Sequence, residues 1–132
     1  MTLKTNNSCI LLADDDRGIR EPLTVLLQYK GFTVVQASSE PEMRRCAQDC
    51  DVWIIDVRLP SKDYEGILAV FTLANSGVRC KHSIIFISVD SKEMAAKHLQ
   101  GLSDLGIQFE WIEKPFEFEY VLKTVNRILR NI

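Results

Sequence analysis

This chain lacks most of what would announce a function. It has 132 residues but only two histidines, and its four cysteines stand at 9, 46, 50 and 80 with no Cys-x-x-Cys pair. Cys46 and Cys50 are spaced to share a helix face, but only His82 and His98 could complete a tetrahedral set, so a zinc site is poorly supported. The apolar runs, such as 52–55 and 84–89, fall far short of the roughly 20 residues a membrane span needs. A formal net charge of -2 supplies no basic field for nucleic acid or for an anionic membrane, so direct binding to either is not expected. "MTLKTNNS" has no apolar signal core, which leads us to expect a cytoplasmic location with reduced thiols. No repeat, low-complexity tract or linker-like stretch breaks the chain. With 46% hydrophobic and 26% charged residues, the composition suits one domain with a substantial core.

What is present is a regular alternation. Short β-branched apolar runs at about 8–13, 33–37, 52–57, 83–88 and 109–112 read as strands. Helical patterns separate them. From Asp16, "DRGIREPLTVLLQYKG" sets Ile19, Leu23, Leu26 and Leu27 on one face and stops at Gly31. Pro22 predicts a kink or the end of a first turn. Ser39, Glu40, Pro41 and Glu42 read as a capping box opening a helix to about Asp49. Further helices are expected over 66–77, stopped by Gly77, from about Ser91 to Gln100, and from about Glu117 to Arg130. Strands without polar alternation are covered on both faces, so the fold class is α/β, a doubly wound parallel sheet with its crevice at the carboxyl ends of the strands.

Chemistry-bearing residues gather at those ends. "CILLADDDRG" closes the first strand with Asp14 and Asp15, while Asp16 is better placed to open the helix. Asp56 ends the third strand, Ser88 the fourth, and Lys114 with Pro115 follows the fifth. Singly, each is a loop acid, a strand-end hydroxyl or a solvated lysine. Together, three carboxylates would repel unless one is protonated or a cation lies between them. Hard oxygen ligands without imidazole point to Mg²⁺ (or Mn²⁺). A cation beside a lysine and a hydroxyl suits a transferring phosphoryl group, and the carboxylate on the middle strand, Asp56, suits the nucleophile.

At this point the sequence resembles the receiver domain of two-component response regulators. "LLADDD", "WIIDVRLP", "IIFIS" and "IEKPF" occur in order at strand ends, and the likeness covers essentially all of residues 1–132 as one domain. The resemblance implies a flavodoxin-like (βα)₅ sandwich with strand order 2-1-3-4-5. It implies that Asp56 takes phosphoryl from a phosphohistidine on a sensor histidine kinase or histidine phosphotransfer protein, turning over no separate substrate. Asp15, Asp56 and the backbone carbonyl of Arg58 would ligate the metal, with Asp14 acting through water. Lys114 would pair with Asp56 and then with the phosphoryl group, across a cis Lys114–Pro115 peptide. Ser88 would move to the phosphoryl group and vacate space for Trp111, switching the fourth helix–fifth strand–fifth helix surface, on which a homodimer is possible.

The chain also departs from that pattern. "SKDYEG" after Pro60 is longer than the usual loop and lacks its early glycine, and the segment from Val89 to Trp111 is a few residues longer than usual. Val89 stands where a smaller residue is common and narrows the room expected beside the phosphoryl group. Arg58 and Asp90, two residues past Asp56 and Ser88, are candidates for an ion pair that lengthens the phosphorylated lifetime. Two other functions compete: a pseudo-receiver that binds partners without phosphorylation, and a Mg²⁺-dependent phosphatase. The phosphatase reading is weakened by Arg58, because haloacid dehalogenases carry a second acid there.

Overall fold

The computed structural model describes residues 8–47, 50–58 and 64–130. Five parallel strands, β1 (Cys9–Ala13), β2 (Thr33–Ala37), β3 (Val52–Asp56), β4 (Ile84–Ser88) and β5 (Phe109–Glu113), lie in the order β2-β1-β3-β4-β5. Among the described residues four α-helices connect them and a fifth follows β5: α1 (Arg17–Tyr29), α2 (Glu40–Cys46), α3 (Glu65–Asn75), α4 (Ala96–Asp104) and α5 (Phe118–Arg130). This is the flavodoxin-like arrangement, with the order reversing between β1 and β3 and a crevice there at the carboxyl ends.

The two sheet faces are set by simple alternation along each strand. Leu11, Ala13, Trp53, Ile55, Ile84 and Phe86 point to one face and pack on Met43 of α2, on Ile67, Val70 and Leu73 of α3, and on Leu99 and Leu102 of α4. Ile10, Leu12, Val52, Ile54, Ile85 and Ile87 point to the other, against Leu23 and Leu27 of α1 and Val121, Leu122, Val125 and Ile128 of α5. Because both faces are covered, the central strands β3 and β4 are buried from end to end.

Helix boundaries follow local chemistry, with four corrections. Gly31 and Gly77 take positive φ just beyond α1 and α3, a conformation that favours glycine, so both stops fall where the sequence places them. Pro22 does not end the first turn. It sits inside an unbroken α1 on the exposed face, where the Gly18 carbonyl it leaves without a donor can meet water. Ser39 caps α2, but the Glu42 carboxylate folds back onto the amide and hydroxyl of Ser38 rather than onto the cap itself. The predicted end of α2 near Asp49 lies outside the described residues. The helix assigned to α2 ends at Cys46, so Cys50 lies beyond it and the shared helix face expected for the two cysteines does not form.

The fourth helical segment begins as a short 3₁₀ turn, Lys92–Ala95, and α4 continues to Asp104 rather than stopping at Gln100. Gly101 is not a stop. A β-carbon there would come within 3.3 Å of the Phe71 ring, so the residue marks close packing of α4 on α3. Among the described residues, no helix is long and apolar enough to cross a membrane.

Candidate functional site

Three carboxylates meet in the crevice. Ligand oxygens of Asp14, Asp15 and Asp56 all lie within 4.8 Å of one another, with Asp14 and Asp56 buried and Asp15 exposed. Strand pairing causes this, because β1 and β3 are neighbours and end together: Ala13 is paired with Ile55, Asp14 and Asp56 follow those two residues, and Asp15 is next to Asp14. Asp14 Oδ1 accepts the Asp16 amide at 2.9 Å, while Asp14 Oδ2 is buried with no hydrogen-bond donor. Asp16 itself points away and caps α1, accepting the Gly18 amide at 2.9 Å. The three consecutive aspartates therefore hold three different positions.

Lys114 answers the cluster from just past the end of β5. Its Nζ lies 3.7 Å from Asp14 Oδ2 and 3.6 Å from Asp56 Oδ2, and the Lys114–Pro115 peptide is cis. One cation against three carboxylates leaves the crevice negative. Burial pushes the Asp14 carboxyl up to about 7, and the Asp56 charge adds to it, while the Asp16 amide and Lys114 oppose it. A donor set made only of carboxylate oxygens, one of them buried without a donor, fits a small hard divalent cation.

That shift has a measurable consequence. Between about pH 4 and pH 7 the folded, metal-free chain keeps a proton on Asp14 that the unfolded chain has already lost, so this group's contribution makes stability fall as the pH rises. Thermal unfolding in chelator across that range should show a wild-type Tm that falls relative to Asp14→Asn as the pH rises. Parallel curves would remove the effect.

A second constellation stands beside the acids. Ser88, fully buried at the end of β4, accepts the Asp90 amide on Oγ at 2.9 Å, and its carbonyl accepts the Lys114 amide at 2.7 Å. Trp111 donates its indole N–H to the Asp90 carbonyl at 3.0 Å and packs near the Phe86 ring. Arg58 Nη2 and Nε reach the Asp90 carboxylate at 2.8 and 3.2 Å, and the Arg58 amide approaches Asp56 Oδ1 at 3.3 Å. Asp90 thus touches Ser88, Trp111 and Arg58 through three different groups. The Arg58–Asp90 ion pair forms, and its hydrogen bond holds the arginine's pKa above its usual value.

The family sequence model for the response regulator receiver domain matches residues 10–126. The chain belongs to this family. The receiver domain is 32% identical over 130 residues to the transcriptional regulatory protein GltR of Pseudomonas aeruginosa, covering 97% of this chain and 51% of that protein. A cyclic di-GMP phosphodiesterase of Thermotoga maritima is 26% identical over 124 residues, 92% of this chain and 31% of its own length. The receiver domain of the Francisella response regulator 1452 superposes with a TM-score of 0.76 at 25% identity, covering 95% of this chain and 98% of that one. This receiver domain spans about half or less of the length of those two curated relatives.

Among the residues singled out from sequence, Asp14, Asp15, Asp56 and Lys114 converge directly, while Ser88, Trp111 and Arg58 converge on Asp90. Pro60 and the first part of the "SKDYEG" loop lie outside the described residues. Val89 is 60% exposed and lines a surface cleft with Ile19, Lys114, Pro115 and Phe118. Two residues of the receiver domain escaped the sequence reading. Gly66 of α3 lies so close to β3 that a β-carbon would fall 2.2 Å from the Asp56 carbonyl oxygen. Its signal was a glycine at the start of the helix after the acid-bearing strand. Arg20 donates to the Asp14 carbonyl at 2.7 Å, and no local pattern marks it.

Proposed function

We propose that this receiver domain is a Mg²⁺-dependent phosphoacceptor in which Asp56 takes a phosphoryl group from a phosphohistidine of a sensor histidine kinase or phosphotransfer protein. The observation that carries the reading is the three-carboxylate cluster with Lys114 within 4 Å of two of its members. An Asp56 carboxylate oxygen attacks phosphorus, the P–N bond breaks, an acyl phosphate forms, and the imidazole leaves with a proton. Asp14, Asp15, Asp56 and the Arg58 carbonyl would hold Mg²⁺, which supplies positive charge to the phosphoryl oxygens. Lys114 neutralises the acids before transfer and a phosphoryl oxygen after it. The chain acts as a regulatory switch rather than as an enzyme with its own substrate.

The output runs through Asp90. The Ser88 oxygen accepts the Asp90 amide and keeps its own proton to donate to a phosphoryl oxygen, so movement of the hydroxyl toward that oxygen draws on the Asp90 segment. Trp111, bonded to the carbonyl of that same residue, then shifts with it. The α4–β5–α5 surface is in this way biased between two states and offered to a partner or a second copy.

Beryllofluoride titration with Mg²⁺, followed by tryptophan fluorescence, tests the proposal. Saturable binding is expected for the wild type, lost in Asp56→Asn and Asp15→Ala and kept in Asp16→Ala. No binding, or binding indifferent to Asp56→Asn, assigns a phosphorylation-independent interaction module instead. A second expectation concerns the Arg58–Asp90 bridge, which covers one approach of water to the acyl phosphate. Arg58→Ala should shorten the lifetime of the phosphorylated protein several-fold. Decay of the acetyl-phosphate-labelled protein measures it, and a wild-type rate removes Arg58 from that role.

A further inference from the structure

The amino ends of the strands, opposite the acids, bring two thiols into contact. Cys9 opens β1 and Cys50 stands two residues before β3, the neighbouring strand, with their Sγ atoms 3.0 Å apart. Their backbones are pinned by the residue between Cys50 and β3. The Asp51 amide donates to the Cys9 carbonyl at 2.7 Å, and Asp51 Oδ2 accepts the Cys9 amide at 2.8 Å. Cys50 is buried in the cluster under α2, α3 and α4, and Cys9 packs at its edge, partly exposed. Cys80 is occupied elsewhere, donating toward the Asp51 and Ser83 carbonyls.

We propose that Cys9 and Cys50 are a modification site, closing to a reversible disulfide when the protein meets a hydroperoxide. A disulfide needs an S–S distance of about 2.05 Å, so the sulfurs need approach by only about 1 Å. Burial, reinforced by the hydrogen bond to Cys9, holds the Cys50 thiol well above its usual pKa, so the partly exposed Cys9 meets the oxidant. The Cys9 thiolate attacks one peroxide oxygen, the O–O bond breaks, and a sulfenic acid and hydroxide form. Cys50 sulfur then attacks the Cys9 sulfur, the S–O bond breaks, and the Cys50 proton leaves with the hydroxyl as water. In sum, two thiols and one hydrogen peroxide give one disulfide and two waters, the proton lost by the Cys9 thiol ending on the hydroxide.

The bond would clamp β1 to β3, the two strands that carry the acids at their far ends. It spans 41 residues of sequence, and stabilisation by a cross-link grows with the loop it closes.

Hydrogen peroxide on the reduced full chain, followed by thiol alkylation, peptide mapping and thermal unfolding, tests the proposal. One disulfide joining Cys9 to Cys50 is expected, reversed by dithiothreitol, with Tm raised by about 5 °C or more. The double variant Cys46→Ser, Cys80→Ser should keep both effects. Cys9→Ala should lose both while matching the reduced wild type in circular dichroism. Four alkylatable thiols after peroxide, a disulfide mapped to another pair, or sulfinic acid at Cys9 without a disulfide would each overturn it.

Discussion

Asp56→Asn should reduce phosphoryl acceptance to background while leaving the chain folded. The amide is nearly the same size as the carboxylate and fits the same buried position, but it is not a nucleophile toward phosphorus. Asp14 is a poor substitute, because it is buried just past β1 and already accepts the Asp16 amide. Removing one charge from the cluster also relieves Asp14, whose carboxyl is held up in part by Asp56. Metal-free Asp56→Asn should therefore melt at or above the wild-type temperature near neutral pH. Incubation with acetyl phosphate and Mg²⁺, read by intact mass, measures the first effect, and calorimetry the second. Wild-type labelling of the variant would move the acceptor to another residue, and a Tm well below wild type would show that the carboxylate serves the fold.

Gly66→Ala should be the most damaging single methyl in the receiver domain. The added carbon would stand 2.2 Å from the Asp56 carbonyl oxygen and 3.0 Å from that of Val57, and both are backbone atoms at the end of a fully buried strand. They cannot yield as a side chain would, so α3 must lift from β3. The Gly66 amide bond to the Val57 carbonyl, 2.7 Å, must stretch with it. Overpacking of this kind costs about 3 kcal/mol or more. Urea unfolding gives the number, and beryllofluoride affinity should fall as well, because the displaced carbonyl belongs to Asp56 itself. Gly101→Ala is the internal comparison. Its new methyl meets only the Phe71 ring at 3.3 Å, which can turn, and alanine regains about 1 kcal/mol of helix propensity. It should be close to neutral. Equal losses in the two variants would show that glycine content, not contact with Asp56, governs the effect.

Much of this molecule is written locally. The five apolar runs, the acids and hydroxyl that end them, and the glycines that stop α1 and α3 each depend on a few adjacent residues. Burial on both faces demands strands without alternation, and a doubly wound sheet puts every strand's carboxyl end at one edge. For that reason Asp14, Asp15, Asp56 and Lys114 could be gathered before any coordinates. The end of α4, by contrast, lies beyond the expected Gln100, because the helix runs through Gly101 to Asp104. A glycine inside a helix and a glycine after one look alike until the neighbouring helix is present.

The local sequence is enough to place the acids, the hydroxyl and the lysine at strand ends and to set Asp16 apart as the cap of α1. Assembly of the whole fold is what joins Asp90 to Ser88, Trp111 and Arg58, backs Gly66 onto Asp56 and brings Cys9 against Cys50. The physical reason is range. A strand end or a helix cap is fixed by forces between residues a few places apart. A contact across 41 residues, or one set by how deeply a helix seats on a sheet, depends on the packing of the whole core.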